Sequence, residues 1–339
     1  MISTRLITDE YINRLTEAND YAGAAKLLLK RQLKDWQQLT DGYNILNRVK
    51  TKTINFDSFR MELQFNPGRM KSTSAKVDNE EIINRECFLC EENLPQEQKG
   101  ILLLDDYFIL CNPFPIFPEH FTLAATEHHL QEITTSFNDL ILISKILSKY
   151  YTVIYNGPKC GASAPDHLHF QAGTKQFMPV ENDFQSIKNE FGEVIFEDEA
   201  LTLCAVDDGL RKFIGIEAKD EKIVLDTFNR FFEIYGYLQK SNEEPMINIV
   251  CNFNNEYGWR VIIFVRDKHR PSNYYKNDGL ILSPAAVDLG GVCITPVERD
   301  FGRINKSLLT EIFKEVSLYK EGFGYIKAAL KKKFSALSF

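Results

Sequence analysis

The stretch 160-CGASAPDHLHFQAG-173 decides how the chain is expected to fold. Its centre, His167-Leu168-His169-Phe170-Gln171, sets two imidazoles and a carboxamide at i, i+2 and i+4. In an extended strand those three side chains share one face. Pro165 disfavours a helix, and Gly161 and Gly173 punctuate the two ends. Just upstream, Tyr151-Thr152-Val153-Ile154-Tyr155 also has the composition of a strand, so the segment is expected to re-enter the same sheet. A row of two histidines and a glutamine suits a phosphate. Imidazole serves as nucleophile or proton carrier, and the amide donates a hydrogen bond to an oxygen. A buried polar cluster, or a metal site without chemistry, fits the same pattern.

With 339 residues, the chain has room for a large core in two domains or one duplicated unit. Hydrophobic residues at 44% and charged residues at 26% describe an ordinary soluble globular protein. A formal charge of -7 argues against a general nucleic-acid binder, yet leaves room for a small anionic ligand in a locally basic cleft. No apolar run long enough to span a bilayer occurs, and the N-terminus lacks a signal-peptide pattern, so a cytoplasmic protein away from membranes is expected. Seven cysteines, an odd number in a long chain, do not read as a disulfide scaffold.

Along the chain, residues 1–50 read as a helical segment carrying Leu27, Leu28, Leu29, Leu33 and Trp36. Residues 54–65 alternate as one strand, stopped by Asn66-Pro67-Gly68. Beyond that stop, Arg69, Lys71 and Lys76 frame a basic, hydroxyl-rich segment that suits phosphates, although a solvated loop explains it equally well. Residues 102–111 read as a hairpin, 121–129 as a strand ending in two histidines, and 131–150 as a helix. Residues 176–220 read as a mixed, charged crossover. A helix at 222–239, strands at 247–253 and 259–265, and an amphipathic helix at 305–320 follow. The lysines 331–333 read as a solvated tail.

A faint echo relates Cys111-Asn112, His120 and His129 to Cys251-Asn252, Arg260 and His269. It suggests two related halves: 51–180 holding the chemistry and 181–339 degenerate, after the helical segment 1–50. The expected fold class is α+β, duplicated, with mostly antiparallel sheets and flanking helices. A homodimer is compatible with the sequence, which supplies no interface.

Five of the six histidines fall between 120 and 169, and Cys87-Phe88-Leu89-Cys90 stands some thirty residues before them. Two thiolates on one turn with two imidazoles make a tetrahedral Cys2His2 site for zinc, best completed by His128 and His167. The plain alternative is a pair of reduced cysteines near a turn. A redox dithiol is disfavoured by Glu86, Glu91 and Glu92. If His167 binds metal its lone pair is taken, which leaves His169 as the free nucleophile.

These residues together resemble the histidine-triad superfamily, in the branch where glutamine replaces the last histidine. That branch contains galactose-1-phosphate uridylyltransferases, diadenosine tetraphosphate phosphorylases and GDP-hexose phosphorylases. The run Gly161-Ala162-Ser163-Ala164-Pro165 leading to His167-x-His169-x-Gln171 matches its motif, with one residue more, Asp166, before the first histidine. His-Leu-His-Phe-Gln-Ala, complete at 167–172, leans toward the GDP-hexose phosphorylases.

The resemblance implies that Asn156 and Gly157 lie near the ribose and α-phosphate, and that Ser163 and the amides near Gly161 bind phosphate. It further implies that Arg69, Lys71 and Lys76 belong to a phosphate-binding segment. A structural zinc on Cys87, Cys90, His128 and His167 also follows, with His129 competing for the third place.

The implied activity is nucleotidyl transfer or phosphorolysis through a nucleotidyl-histidine on His169, with Gln171 holding a non-bridging oxygen. The donor would be a nucleotide-sugar or dinucleoside polyphosphate, and the acceptor phosphate or a sugar phosphate. Rival classes are a zinc-dependent hydrolase using His169, His167 and His120, and a nucleotide-binding protein without turnover.

Overall fold

The computed structural model describes residues 4–70, 82, 85–240 and 243–335. Three helices open the chain: α1 (Glu10–Glu17), α2 (Tyr21–Asp35) and α3 (Gln37–Leu46). Asp9 and Asp20 cap the first two by accepting from their leading backbone N–H groups, which have no partner within the helix. A hairpin follows, β1 (Lys50–Asn55) and β2 (Arg60–Phe65). Here the expected single strand over 54–65 is two strands, because the chain reverses between Asn55 and Arg60.

Most of the remaining strands join one antiparallel sheet. The first five are β3 (Gly100–Leu103), β4 (Tyr107–Cys111), β5 (His120–Ala125), β6 (Tyr151–Asn156) and β7 (His169–Thr174), with α4 (Phe137–Ile146) between β5 and β6. Then come α5 (Pro179–Phe191), β8 (Gly192–Glu197), β9 (Leu201–Asp207), β10 (Lys212–Ala218), α6 (Glu221–Gln239), β11 (Ile247–Asn254) and β12 (Gly258–Val265). The segment expected to be a crossover therefore holds a helix and three strands. The chain closes with α7 (Ala286–Leu289), β13 (Val292–Thr295), α8 (Glu298–Arg303), α9 (Lys306–Val316) and α10 (Lys320–Ser335). Lys331 and Lys333 are not a tail, because they lie on α10 and pair with Glu193 and Glu233.

Strand order across the large sheet is β3-β4-β5-β7-β6-β11-β12-β10-β9-β8. Each half contributes the same five-strand order, reversed about the β6–β11 junction, and in each half a helix links the third strand to the fourth. The duplicated α+β architecture is thus a property of the topology. Equivalent hydrogen bonds mark the two copies: Lys175 N donates to Tyr150 O at 2.8 Å, and Arg266 N donates to Met246 O at 2.9 Å. Counting along the ladders from there, Asn156 and His169 stand where the second half has Asn252 and Arg260. The echo noticed in the sequence paired other strands, since Cys111 lies on β4 and Cys251 on β11. Duplication holds, but that echo is not its trace.

One face of the large sheet packs against α1–α4, α6 and α10 through a core that includes Leu28, Phe170, Phe228 and Trp259. The opposite face buries Val206, Val250, Ile262 and Phe264 against the three-stranded sheet β1-β2-β13 and helices α5, α7 and α9. Alternation along β7 turns Phe170 and Ala172 toward the first core and His169 and Gln171 toward the second face. Among the described residues no helix is long and apolar enough to cross a membrane.

Candidate functional site

His169 opens β7 and is buried. Its Nδ1 lies 2.8 Å from the carbonyl oxygen of His167. A carbonyl only accepts, so Nδ1 carries the proton and the lone pair resides on Nε2. Burial pushes the imidazole pKa down to about 4, opposed by the bond to the His167 carbonyl. At neutral pH the ring is therefore uncharged and nucleophilic at Nε2.

Gln171, two residues on, accepts at Oε1 from His120 Nε2 at 2.9 Å, while His120 Nδ1 accepts from the Ile116 N–H at 3.2 Å. That second bond fixes the His120 tautomer and with it the orientation of the Gln171 amide. The NH2 end of Gln171 is left to donate toward the cavities it lines. Burial, and then the Arg69 charge, push the His120 pKa down to about 3, so this relay stays neutral.

His167 does not lie on the strand face expected for it. It precedes β7 in a turn, where its N–H donates to Ala164 O. Its side chain faces the cysteines instead, with Nδ1 at 3.3 Å from Cys87 Sγ and 3.6 Å from Cys90 Sγ. The reason is local: the His167 carbonyl is turned back to hold His169, so the two rings cannot follow simple strand alternation.

His128 Nδ1 lies 3.2 Å from Cys90 Sγ, and the four ligand atoms of Cys87, Cys90, His128 and His167 all fall within 4.8 Å of one another. A tetrahedral zinc with ordinary Zn–S and Zn–N lengths needs S···N edges of about 3.5 Å, so this donor set fits such an ion. His167 Nε2 donates to Ala125 O at 2.8 Å, which leaves Nδ1 as the ligand nitrogen and supplies the outer contact that metal-binding histidines commonly make. His129 is excluded from the cluster; it is exposed and pairs with Glu127. Asp166, the added residue of the motif, pairs with Arg85 at 2.5 Å and so ties the loop before His167 to the segment entering Cys87.

Two adjoining cavities meet at Arg69, Ser163 and Gln171. One opens beside His169 and is walled by Phe88, Leu94, Pro113 and Phe114, with Asn93, Gln98 and Asn112 offering polar groups. The other is polar and brings Asn156, Gly161 and Ser163 against His269, Arg270 and Ser283 of the second half. Arg69 donates to Phe114 O at 2.8 Å and is held at the junction. Burial lowers its pKa to about 10, which still leaves it cationic at neutral pH. Lys71 and Lys76, expected beside it, lie outside the described residues.

Asn156 Oδ1 accepts from Asn248 Nδ2 and from Ala286 N, both at 2.8 Å, so its NH2 end remains for the cavity. Gly161 has φ +96°, and a Cβ there would meet Ala285 Cβ at 2.8 Å. Only glycine lets this loop approach α7 so closely.

Behind Asn156, Arg266 is buried and donates to carbonyls of Val316, Pro284, Lys268 and His269 as well as to Asn248 Oδ1. Its charge meets neutral acceptors only. Asp288 lines the same cavity; burial pushes its pKa up to about 6, opposed first by the N–H groups of Ile294 and Ala285 that it accepts from and least by Arg69. Arg69 and Arg270 line the polar cavity with Arg266 behind it, against the Asp288 carboxylate among its lining residues, so positive charge is in excess there, which suits an anion.

The sequence reading missed Gln131, Asn248, Arg266 and Arg270. Each stands apart from any motif; the meeting of the two halves brings Asn248, Arg266 and Arg270 to the site, and Gln131 reaches it from the loop beyond β5. It named His120 but gave it only the role of a catalytic metal ligand in a rival class. In the structure both ring nitrogens of His120 are committed to Ile116 and Gln171.

Residues 28–174 match the family model described as a domain of unknown function, DUF4922. No curated protein matches the chain. Among solved structures, yeast Ap4A phosphorylase Apa2 in complex with Ap4A superposes with a TM-score of 0.55 at 14% identity, covering 83% of this chain and 96% of that one. The same yeast protein in complex with AMP superposes with a TM-score of 0.53 at 16% identity, covering 86% and 96%. This chain has the fold of that phosphorylase, from near one end to the other.

Proposed function

We propose that the protein is a nucleotidyltransferase or phosphorylase that cleaves a dinucleoside polyphosphate or nucleotide-sugar through a nucleotidyl-histidine on His169. The observation that carries this reading is the Nε2 lone pair of a neutral, oriented imidazole beside an apolar cavity that adjoins an electropositive one. The base would lie against Phe88, Leu94 and Phe114, its α-phosphate would sit by Ser163 and Gln171, and the distal phosphates would reach toward Asn156 and Arg270. The shared fold with yeast Ap4A phosphorylase supports a dinucleoside polyphosphate as donor.

In the first step Nε2 forms a bond to the α-phosphorus while the bond from that phosphorus to the bridging oxygen breaks. The leaving phosphate departs with the electron pair. Such a leaving group needs no proton at neutral pH, which suits a glutamine where a third histidine could have supplied one. The Gln171 NH2 group donates to a non-bridging oxygen, and Arg69 balances charge spread over the transferring group. In the second step an oxygen of inorganic phosphate, or of a phosphate-bearing acceptor, attacks the same phosphorus. The P–N bond breaks and its electrons return to Nε2. Zinc on Cys87, Cys90, His128 and His167 would hold together the loop at Cys87, the chain beyond β5 and the entry to β7.

A zinc-dependent hydrolase is the weaker reading, because His120, His167 and His169 turn their ring nitrogens to three different sets of partners. The test is steady-state turnover of diadenosine tetraphosphate and of GDP-glucose with varied inorganic phosphate. Ping-pong kinetics that yield a nucleoside diphosphate support the proposal. Turnover at full rate without phosphate would overturn it.

A further inference from the structure

The ladder between β6 and β7 runs from Tyr151↔Thr174 to Ile154↔Gln171 and then stops. Had it continued, Asn156 and His169 would form a later rung. The side chain of Gln131 fills that place. Its Nε2 donates to Asn156 O at 3.0 Å and to His169 O at 2.9 Å, while its Oε1 accepts from His169 N at 2.8 Å. A side-chain carboxamide thus stands in for a peptide group between two strands.

The rest of Gln131 is committed to the same neighbourhood. Its backbone N–H donates to Pro165 O at 3.2 Å, and its carbonyl accepts from Tyr155 Oη at 3.3 Å. The residue is buried, and it lies on the loop that also carries His128. In the second half the equivalent rung, Asn252↔Arg260, is an ordinary backbone pair, and no side chain enters the ladder there.

We infer that Gln131 is a positioning residue for the nucleophile: it wedges β6 from β7 at their open end and fixes the backbone of His169 on both sides. The inference rests on the covalent reading given above. The wedge holds the Asn156 and His169 backbones apart by the width of the amide that bridges them. It also pins the peptide whose side chain attacks. Without it the two strands would either zip together, as β11 and β12 do, or leave three buried backbone groups unpaired. Either change moves Nε2 relative to Ser163 and Gln171, and a shift of about 1 Å at a reacting atom costs on the order of 100-fold in rate.

The experiment compares wild type with Gln131→Met and Gln131→Asn in the full chain. Methionine keeps the volume and loses every side-chain hydrogen bond; asparagine keeps the amide but falls a methylene short, and serves if the first variant does not fold. Single-turnover formation of the nucleotidyl-enzyme from diadenosine tetraphosphate and from GDP-glucose is followed by quenched intact mass, beside donor Kd, bound zinc and melting temperature.

The expected result is a rate lower by about 100-fold with donor Kd within threefold and zinc content unchanged. A folded variant that reacts within threefold of wild type overturns the inference and leaves the covalent reading standing. Rate, zinc and donor affinity falling in parallel would also overturn it, since that marks a structural residue. A wild-type protein that forms no adduct removes the covalent reading itself, and the inference with it.

Discussion

The two halves of the sheet share one strand order yet differ at one rung. In the first half β6 and β7 part after Ile154↔Gln171, and the connection between them takes residues 157–168 on a wide excursion. In the second half β11 and β12 pair through Asn254↔Gly258 and close in a tight turn. His169 has become Arg260, which is partly buried, paired with Glu217 at 2.7 Å and stacked over Tyr257. Gln171 has become Ile262, in the core. The open half keeps polar groups facing a cavity, while the closed half satisfies its own inside the fold. The candidate site lies in the open half, and the closed half contributes Arg270, Ser283 and the α7 segment to the cavity it faces.

That division is broken most decisively at His169. His169→Ala should lower phosphorolysis by at least about a thousandfold, since it removes the nitrogen proposed to attack. Product assays with either donor check it, and residual activity near a tenth of wild type would relocate the nucleophile.

Next in size is the metal node. Stripping zinc with a strong chelator, or replacing Cys87 with Ser, should cost at least about 3 kcal/mol of stability, read by urea unfolding. Activity should then fall in step with the folded fraction. Loss of turnover from fully folded protein would make the metal catalytic.

His120→Phe keeps an aromatic ring and removes the bond that orients Gln171. It should lower kcat about 30-fold with little change in KM, because the donor it controls acts on charge that develops in the transition state.

Arg260→Ala sharpens the comparison from the other side. It should leave the single-turnover rate within threefold while costing about 2 kcal/mol, since the partly buried Glu217 carboxylate loses one of its two cations and keeps Lys188, and the stacking over Tyr257 is lost. A large rate effect would mean that the second half does more than support.

The smallest effect concerns pH. Glu244, bonded to Tyr155 Oη at 2.6 Å beneath Gly157, has its pKa raised to about 7, chiefly by burial. A carboxyl with a raised folded-state pKa favours the fold while protonated, so its contribution fades as pH rises from about 4.5 through 7. Wild type should lose on the order of 2 kcal/mol relative to Glu244→Gln between pH 5 and pH 8. Paired urea midpoints check the sign.

Much of this site was legible because its chemistry is local in the chain. His167, His169 and Gln171 lie within five residues, and two cysteines on one turn point to a metal-ligand cluster. The strands β8 to β10 were obscured because charged residues such as Glu193, Glu217 and Lys212 interrupt their apolar pattern, and those charges pair across the fold instead of facing solvent alone. The hairpin β1–β2 read as one strand because Phe56 and Phe59 continue the apolar alternation through the turn, where they stack on each other. His167 left the strand for a reason that spacing cannot express, since its carbonyl serves the next histidine. Gln131 has no sequence signal at all. Its role exists only where a ladder fails to close, and that is visible only when both strands are in place.

The central claim is that one half of a duplicated sheet carries the covalent chemistry. Its most direct measurement is the stoichiometry and location of the adduct after wild-type protein is mixed with diadenosine tetraphosphate without phosphate, quenched, and analysed by intact mass and peptide mapping. The account predicts one nucleoside monophosphate per chain, on the peptide containing His169, released on addition of phosphate as a nucleoside diphosphate. No adduct under conditions where the donor is consumed, or an adduct mapping to residues 247–265, would contradict it.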